Sequence, residues 1–310
     1  MIARYAGRRL AQAAFVLWLA VTLAFVAMEL APGDPAQALL AASGATAEEI
    51  AVRRVQLGLD DPLLVQYVRY VGDLARGDLG VSWLHGRAVS RVIGESLFPT
   101  AVLAVAATAV GVGWGLTLGL LAALRRSTWL DTLVTAIAVL SFSTPTYWSG
   151  ILAILLFSLR LGWLPSSGEG SWRHLVLPAL VLGFALSGSI ARLVQTRVSE
   201  VMNEPFVVAA RARGLPARQV ILFHILRAAL GPALTVVALQ FGFLLGGAVI
   251  TESVFARRGL GKLVVEAITW RDLPVVRGIV VFSALVYVLV HWVSDVVQAW
   301  LDPRLREELV

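Results

Sequence analysis

Six stretches of this 310-residue chain carry no Asp, Glu, Lys or Arg, and each is long enough to cross a hydrocarbon layer of about 30 Å at ~1.5 Å per helical residue. They lie between Arg9 and Glu29, Glu95 and Arg125, Asp131 and Arg160, Arg173 and Arg192 with a continuation towards Arg197, Arg227 and Glu252, and Arg277 and Asp295. A charge at the centre of a membrane helix costs about 2.5–3.5 kcal/mol on insertion scales, so gaps of this length constrain the fold strongly. They predict an all-α membrane protein of six transmembrane helices. Charged residues make up 15% of the chain, against about 25% in a typical soluble domain. The two soluble domains that length alone would suggest are therefore set aside. The absence of cysteine excludes disulfides, thiolate metal sites, iron–sulfur clusters and thiol nucleophiles. The net charge of +6 is assigned to loops facing anionic lipid, not to nucleic acid.

The first apolar run is longer than the ~7–15 residues of a signal-peptide core, and no clear small-x-small cleavage site follows it, so it reads as a retained span. An even number of spans puts both termini on one side, and Arg4, Arg8 and Arg9 argue for the cytoplasm. Of the 26 basic residues, thirteen then fall on each side; discounting the long loop at 32–95 leaves thirteen inside against seven outside. The predicted organisation is an N-terminus and first helix over 1–31, an amphipathic extracytoplasmic loop domain over 32–95, a five-helix core over 96–301, and a cytoplasmic tail over 302–310. Trp163 and Trp172 flank a Gly/Ser/Pro loop and suit an interface belt.

The segment 198–230 is the most informative. Asn203 suits an N-cap, Glu204 favours the positive helix end, and Pro205 is tolerated in the first turn. Phe206 to Arg213 then reads as a short helix, with Gly214 as its C′ residue and Pro216 beyond. A second helix is expected from Ala217 to Leu230, breaking at Gly231-Pro232. An amphipathic hairpin lying on the membrane would explain the arginines and the apolar face. Small residues at Ala209, Ala210 and Ala212 instead suit a helix seated closely in a partner's groove.

Ala209-Ala210-Arg211-Ala212-Arg213-Gly214, with His224 ten residues past the glycine and Pro232 beyond, resembles the coupling loop of ABC importer permeases. Ala31-Pro32-Gly33-Asp34-Pro35, Gly77-Asp78-Leu79-Gly80-Val81-Ser82, His224 to Pro232, and Glu252-Ser253-Val254-Phe255 with Gly259-Leu260-Gly261 resemble further motifs of the family, in its order and spacing. Together they cover essentially the full length. They are similar to the peptide/nickel branch, in particular the permease subunit with the long first extracytoplasmic loop. One departure is that Val208 stands where the motif's glutamate would be, which leaves Glu204 or Arg211 for a polar contact.

The resemblance implies a type I importer permease fold. It implies an ATPase-coupling surface at Glu204, Phe206, Val207, Ala209, Ala210, Arg211, Arg213 and Gly214. It implies a second homologous permease, two cytoplasmic ATPase subunits that hold ATP and Mg, and an extracytoplasmic solute-binding protein. The chain itself would bind no cofactor, and it has no Gly-x4-Gly-Lys-Ser/Thr motif, since Gly261-Lys262 is followed by Leu263.

Polar residues within the spans, Ser143, Thr144, Gln195, Thr235, Gln240 and Thr251, are candidates for the translocation path, although such groups also serve as bonds between helices. Glu252, near Arg257 and Arg258, is either a local ion pair or an outer gate contact. Gly111, Gly115 and Gly119 permit a close helix crossing, within this chain or against a second permease. His291 and Asp295, at i and i+4, allow a structural hydrogen bond or a shared proton or metal. A proton-coupled carrier would need ionisable groups at mid-span, and a membrane enzyme would need a nucleophile such as Ser141, Ser143 or Ser189 with His291. Charge-free span centres argue against both. The solute expected from the resemblance is a di- or oligopeptide, with nickel complexes, glutathione, opines and oligosaccharides as alternatives.

Overall fold

The computed structural model describes residues 2–30, 32–40, 44–125, 128–246 and 248–301, with side chains from residue 11 to 293, Leu130 and Phe142 aside. Ala31, the tail 302–310 and the side chain of Asp295 lie outside the described residues. The elements are helices α1 (Ile2–Leu30), α2 (Pro35–Leu40), α3 (Ala47–Gln56), α4 (Leu63–Ala75), α5 (Val89–Leu124), α6 (Trp129–Ser143), α7 (Thr146–Ala153), α8 (Arg173–Val201), α9 (Pro205–Ala212), α10 (Ala217–Gln219), α11 (Leu226–Leu245), α12 (Val249–Val254), α13 (Leu260–Thr269) and α14 (Leu273–Leu301). Among the described residues the only β pairing is an isolated bridge between Val81 and Ala88.

Among the described residues, five helices are long and apolar enough to span a membrane. The sixth expected span, 131–160, is a pair: α6 and the helix from Thr146 to Arg160 meet at about 100°. Thr144 is extended and Pro145 follows it, and a proline excludes the helical conformation from its predecessor. α5 begins at Val89, inside the stretch assigned to the extracytoplasmic loop, and its 36 residues reach about 54 Å.

α5 and α8 form the axis of the fold. Gly111 lies against Leu186, Gly115 against Ile190 and Gly119 against Ala191, so the two helices run parallel. A methyl group on Gly119 would sit 2.4 Å from the Ala191 carbonyl oxygen, and backbone has no rotamer with which to escape. The glycine stripe is therefore spent on a contact inside this chain, which corrects the alternative that it meets a second permease. Asp131 reaches Gln195 while Ser141 touches Gly188, so α6 runs antiparallel to α8. Gly242 meets Val290 and Gly246 lies near Ser283, so α11 and α14 are likewise antiparallel. α9 consequently lies at one end of the bundle, and the 32–88 insertion lies at the other, with the ends of α1 and α14 distal to the insertion on the α9 side.

Two expectations for the 198–230 segment change. Asn203 does not cap α9. Its side-chain amide donates to the Ser199 carbonyl, and Glu204 holds the N-cap position without a side-chain cap bond. The chain also does not break at Gly231-Pro232. Residues 217–245 form one continuous helical rod, with its irregularity upstream as π-helical turns at Val220–Ile225. Neighbouring helices in a bundle let proline remain inside a span.

Gly119→Ala should force α5 and α8 apart and lower the stability of the purified subunit by roughly 1–3 kcal/mol. Gly113→Ala, where a methyl group meets open space, should leave it unchanged. Thermal unfolding in detergent measures both, and equal midpoints would remove the glycine contact from its central place.

Candidate functional site

α9 is held by a seat below and a hinge behind. Val207 and Ala210, one turn apart, are buried among Ile190, Val194, Val198, Val220, Ile225 and Ala229 of α8 and the 217–245 rod. Both were expected on the partner-contacting surface, and their burial corrects that. They fasten the helix to its own bundle and cannot touch a partner while it is seated. Glu204, Phe206, Ala209, Arg211, Arg213 and Gly214 are exposed, as is Val208. The helix ends in a Schellman motif: the Gly214 amide donates to the Arg211 carbonyl at 2.9 Å, and the Leu215 amide to that of Ala210 at 3.4 Å. Gly214 has φ +77°, in the left-handed region that a β-branched residue resists. Leu215 then packs back onto the same apolar cluster, which fixes the angle at which the chain leaves.

A cavity of about 1270 Å³ runs along the α9-side half of α8. Its deep end is formed by Ser143 and Gly188, and its α9 end by Asp131 and Asn203. Between them α6 contributes Thr135 and Ala138, and α8 contributes Ser189, Arg192, Gln195 and Thr196. Asp131 accepts a hydrogen bond from Gln195 Nε2 at 2.7 Å, and Arg197 pairs with Glu200 at 3.0 Å. Of the expected path residues, Ser143 and Gln195 line this space. Gln240 stands behind it, donating to Ser189 Oγ at 2.7 Å from α11. Thr144 bonds its own helix at Leu140, Thr235 is half-buried in α11, and Thr251 is buried in α12; none of the three lines the cavity. Asp131 and Arg192 were read only as span ends. The polar spacing Gly188, Arg192, Gln195, Ser199, Asn203 along one helical face was the signal available for them.

The insertion end is closed by buried charge. Glu252 on α12 has no exposed surface and is an internal clamp. Its Oε2 accepts the Gly261 and Lys262 amides at 2.7 and 3.2 Å, and its Oε1 accepts the Thr100 hydroxyl of α5 at 2.6 Å. The Thr100 oxygen in turn accepts the Leu260 amide at 2.8 Å. Three orphan N–H groups at the start of α13 are thus satisfied, and the helix dipole meets a negative charge. A methyl group on Gly259 would strike the Glu252 carboxylate at 2.2 Å, which is why glycine precedes the helix. The ion pair expected with Arg257 or Arg258 is absent among the described residues. Arg257 lies 3.5 Å from the Pro99 carbonyl, and the Arg258 amide donates to Glu169.

Asp272, at the head of α14, accepts the Ser82 hydroxyl at 2.5 Å and the Trp83 and Leu84 amides at 3.0 and 3.1 Å, fixing the Gly-Asp-Leu-Gly-Val-Ser turn. Arg277 pairs with Glu29 of α1 at 3.3 Å and stacks on Phe25 and Tyr70, 4.6 and 5.1 Å from the ring centres. Burial pushes the Tyr70 phenol up to about 12, with the nearby Arg277 charge opposing that shift. Arg271 donates to the Gly33 carbonyl at 2.8 Å. Burial would raise Asp34, but hydrogen bonds from Arg54 and the Ala36 amide, with the Arg54 charge, outweigh it and hold the carboxyl below its usual value. That contact is therefore intact at neutral pH and is lost only as pH falls below the ordinary carboxylate range.

Other expected chemistry is not assembled. No group of three or more metal-ligating side chains occurs among the described residues. His291 stacks on Tyr287, with ring centres 5.8 Å apart, and its Nδ1 has no partner. Ser141 and Ser189 donate to carbonyls of their own helices.

Residues 115–307 match the family described as the binding-protein-dependent transport system inner membrane component, and residues 2–104 match its N-terminal component. The glutathione transport system permease protein GsiC of Salmonella paratyphi A is 39% identical over 302 residues, covering 97% of this chain and 98% of that protein. A Brucella abortus protein, named provisionally as a peptide transport system permease, is 40% identical over 307 residues, covering 96% of this chain and 98% of that one. The inward-facing structure of the MetNI methionine ABC transporter superposes with a TM-score of 0.55 at 18% identity, covering 69% of this chain and 97% of that one. The fold is that of a type I ABC importer permease, carrying the insertion before α5.

Glu252→Gln and Asp272→Asn keep shape but remove charge and an acceptor. Each should raise local amide hydrogen exchange about tenfold or more, at Gly261 and Lys262 in the first and at Trp83 and Leu84 in the second. Unchanged exchange at those amides would show that the carboxylates do not hold these turns.

Proposed function

We propose, from the premise that this chain belongs to the family of binding-protein-dependent transport system inner membrane components, that it forms half of a path importing short peptides, glutathione among them. A permease of this kind is an inner-membrane, multi-pass subunit of an ABC importer, and ATP is hydrolysed in separate subunits. The observation that carries the peptide reading is the cavity along α8. It is large enough for a di- or tripeptide, it is lined by hydroxyls and amides, and it holds charges of both signs. Two relatives covering nearly the whole chain, one named for glutathione and one for peptides, support the same class. Glutathione is itself a tripeptide, so one cavity serves both.

In this reading α9 is the coupling helix, facing the cytoplasm together with both termini. Its exposed face, Glu204, Phe206, Ala209, Arg211, Arg213 and Gly214, seats on one of two ATPase subunits. Val207 and Ala210 pass its movement into α8 and the 217–245 rod. A second, related permease completes the path, and an external solute-binding protein delivers the solute. The α12–α13 hairpin, pinned to α5 through Glu252 and Thr100, forms the outer closure. Here Glu252 acts by holding the hairpin, without touching solute.

Reconstitution with the partner subunits and the binding protein in proteoliposomes tests the function. ATP-dependent uptake of labelled di- and tripeptides and of glutathione is expected, and uptake of none would remove the solute assignment. The two faces of α9 should separate. Phe206→Asp or Arg211→Glu should uncouple ATP hydrolysis from uptake while the subunit still inserts and assembles. Val207→Asp should instead lower the yield of folded subunit. Wild-type coupling in both outward-face variants would sink the coupling-helix assignment.

A further inference from the structure

We propose that Arg192 is a specificity-determining residue of the translocation cavity, holding a carboxylate of the passing solute by its guanidinium; this rests on the permease reading above. Arg192 lines the cavity, is exposed, and its guanidinium makes no hydrogen bond or ion pair among the described residues; only its carbonyl is engaged, accepting from the Thr196 hydroxyl. The other charges around the cavity are engaged. Asp131 is bound by Gln195, and Arg197 and Glu200 pair with each other. Arg192 lies nineteen residues past Arg173, roughly 28 Å along α8, so it stands at the α9-side end of the charge-free run, on the face that lines the cavity.

The chemistry of the group narrows the ligand. A guanidinium presents a planar fork of donors that matches a carboxylate with two parallel bonds, and it stays charged at any physiological pH. Every peptide with a free C-terminus carries a carboxylate, whatever its side chains. A guanidinium in the path therefore selects for that shared terminus and leaves the sequence unread, as a carrier of varied peptides requires. Asp131, in the same cavity, supplies the opposite pole of a field suited to a zwitterion. Gly188 lets α6 pack directly on α8 at the deep end, since a methyl group there would fall 2.0 Å from Ser141 Oγ, and so closes the cavity beyond Ser143.

The test uses the full complex with its partner subunits, freed of their own cysteines, in lipid nanodiscs without nucleotide or binding protein. Equilibrium binding of dialanine is compared with that of dialanine amide, which lacks the carboxylate. The wild-type complex should favour the acid by about tenfold or more. R192Q should erase the preference and R192K should keep part of it. Because this chain has no cysteine, R192C can be labelled selectively. A methanethiosulfonate carrying an ammonium group should restore preference for the acid, and one carrying a sulfonate should not. Equal binding of acid and amide by the wild type, or no binding of the acid, overturns the proposal. So does an R192Q complex in which both ligands weaken alike, since that would make Arg192 a partner of a neighbouring subunit. Acid preference in a wild-type complex that takes up neither peptide nor glutathione would leave Arg192 as a carboxylate site and overturn the peptide assignment alone.

Discussion

The parallel contact between α5 and α8 is the constraint on which the rest depends. Gly111, Gly115 and Gly119 bring the backbones so close that carbonyl oxygens of α8 occupy the space of absent side chains. In hydrocarbon, apolar side chains gain little by leaving lipid for one another, so close van der Waals packing is a main source of helix association. With α5 and α8 fixed, α6 folds antiparallel along a neighbouring face of α8, where Gly188 admits Ser141. The cavity is the space left where α6 and α8 carry polar groups in place of a continuous apolar seam. The same axis thus supplies both rigidity and the wall of the chamber.

The two ends of the bundle are built from different physics. At the insertion end, buried carboxylates close the structure by accepting backbone amides: Glu252 at the start of α13, Asp272 on the turn at Ser82–Leu84. Such bonds are directional and costly to break, because each would leave an ionised group buried without partners. At the other end α9 rests on an apolar seat through Val207 and Ala210. Apolar contacts are non-directional, so a helix can rock on them without losing a specific bond. A clamp at one end and a seat at the other leaves α9 the more loosely tied of the two, and on the proposed coupling role its movement would pass along α8 beside the cavity.

The charge-free runs, the Gly214 end of α9 and the glycine crossing were legible because each rests on a local rule. A charge-free run of sufficient length has few alternatives to a membrane helix, and Gly214 is chosen by a single backbone angle. Glu252 was visible as unusual, but its role was not. Its partners Thr100, Gly261 and Lys262 come from two other elements, one of them 152 positions away. Arg192 and Asp131 stood out only as span boundaries, because hydropathy measures composition along the chain and is blind to which side of a helix lines a cavity. Gly231-Pro232 misled for the reverse reason, since a pair that ends a helix in water is held inside one by its neighbours in a bundle.

The sequence by itself determined the class of protein: charge-free runs require a helical membrane bundle, and the ordered motifs along the chain place it among importer permeases. Only the tertiary structure decided which face of each helix does what. It turned Val207 and Ala210 inward while leaving Phe206 and Arg211 outward, assigned the glycine stripe to α8, and set Ser143, Gln195 and Arg192 around one chamber while removing Thr144, Thr235 and Thr251 from it. Element type follows from local sequence because backbone bonding and burial of a span are settled within about twenty residues. Facing and partnership are settled by contacts between segments far apart in the chain, and those exist only once the helices have packed.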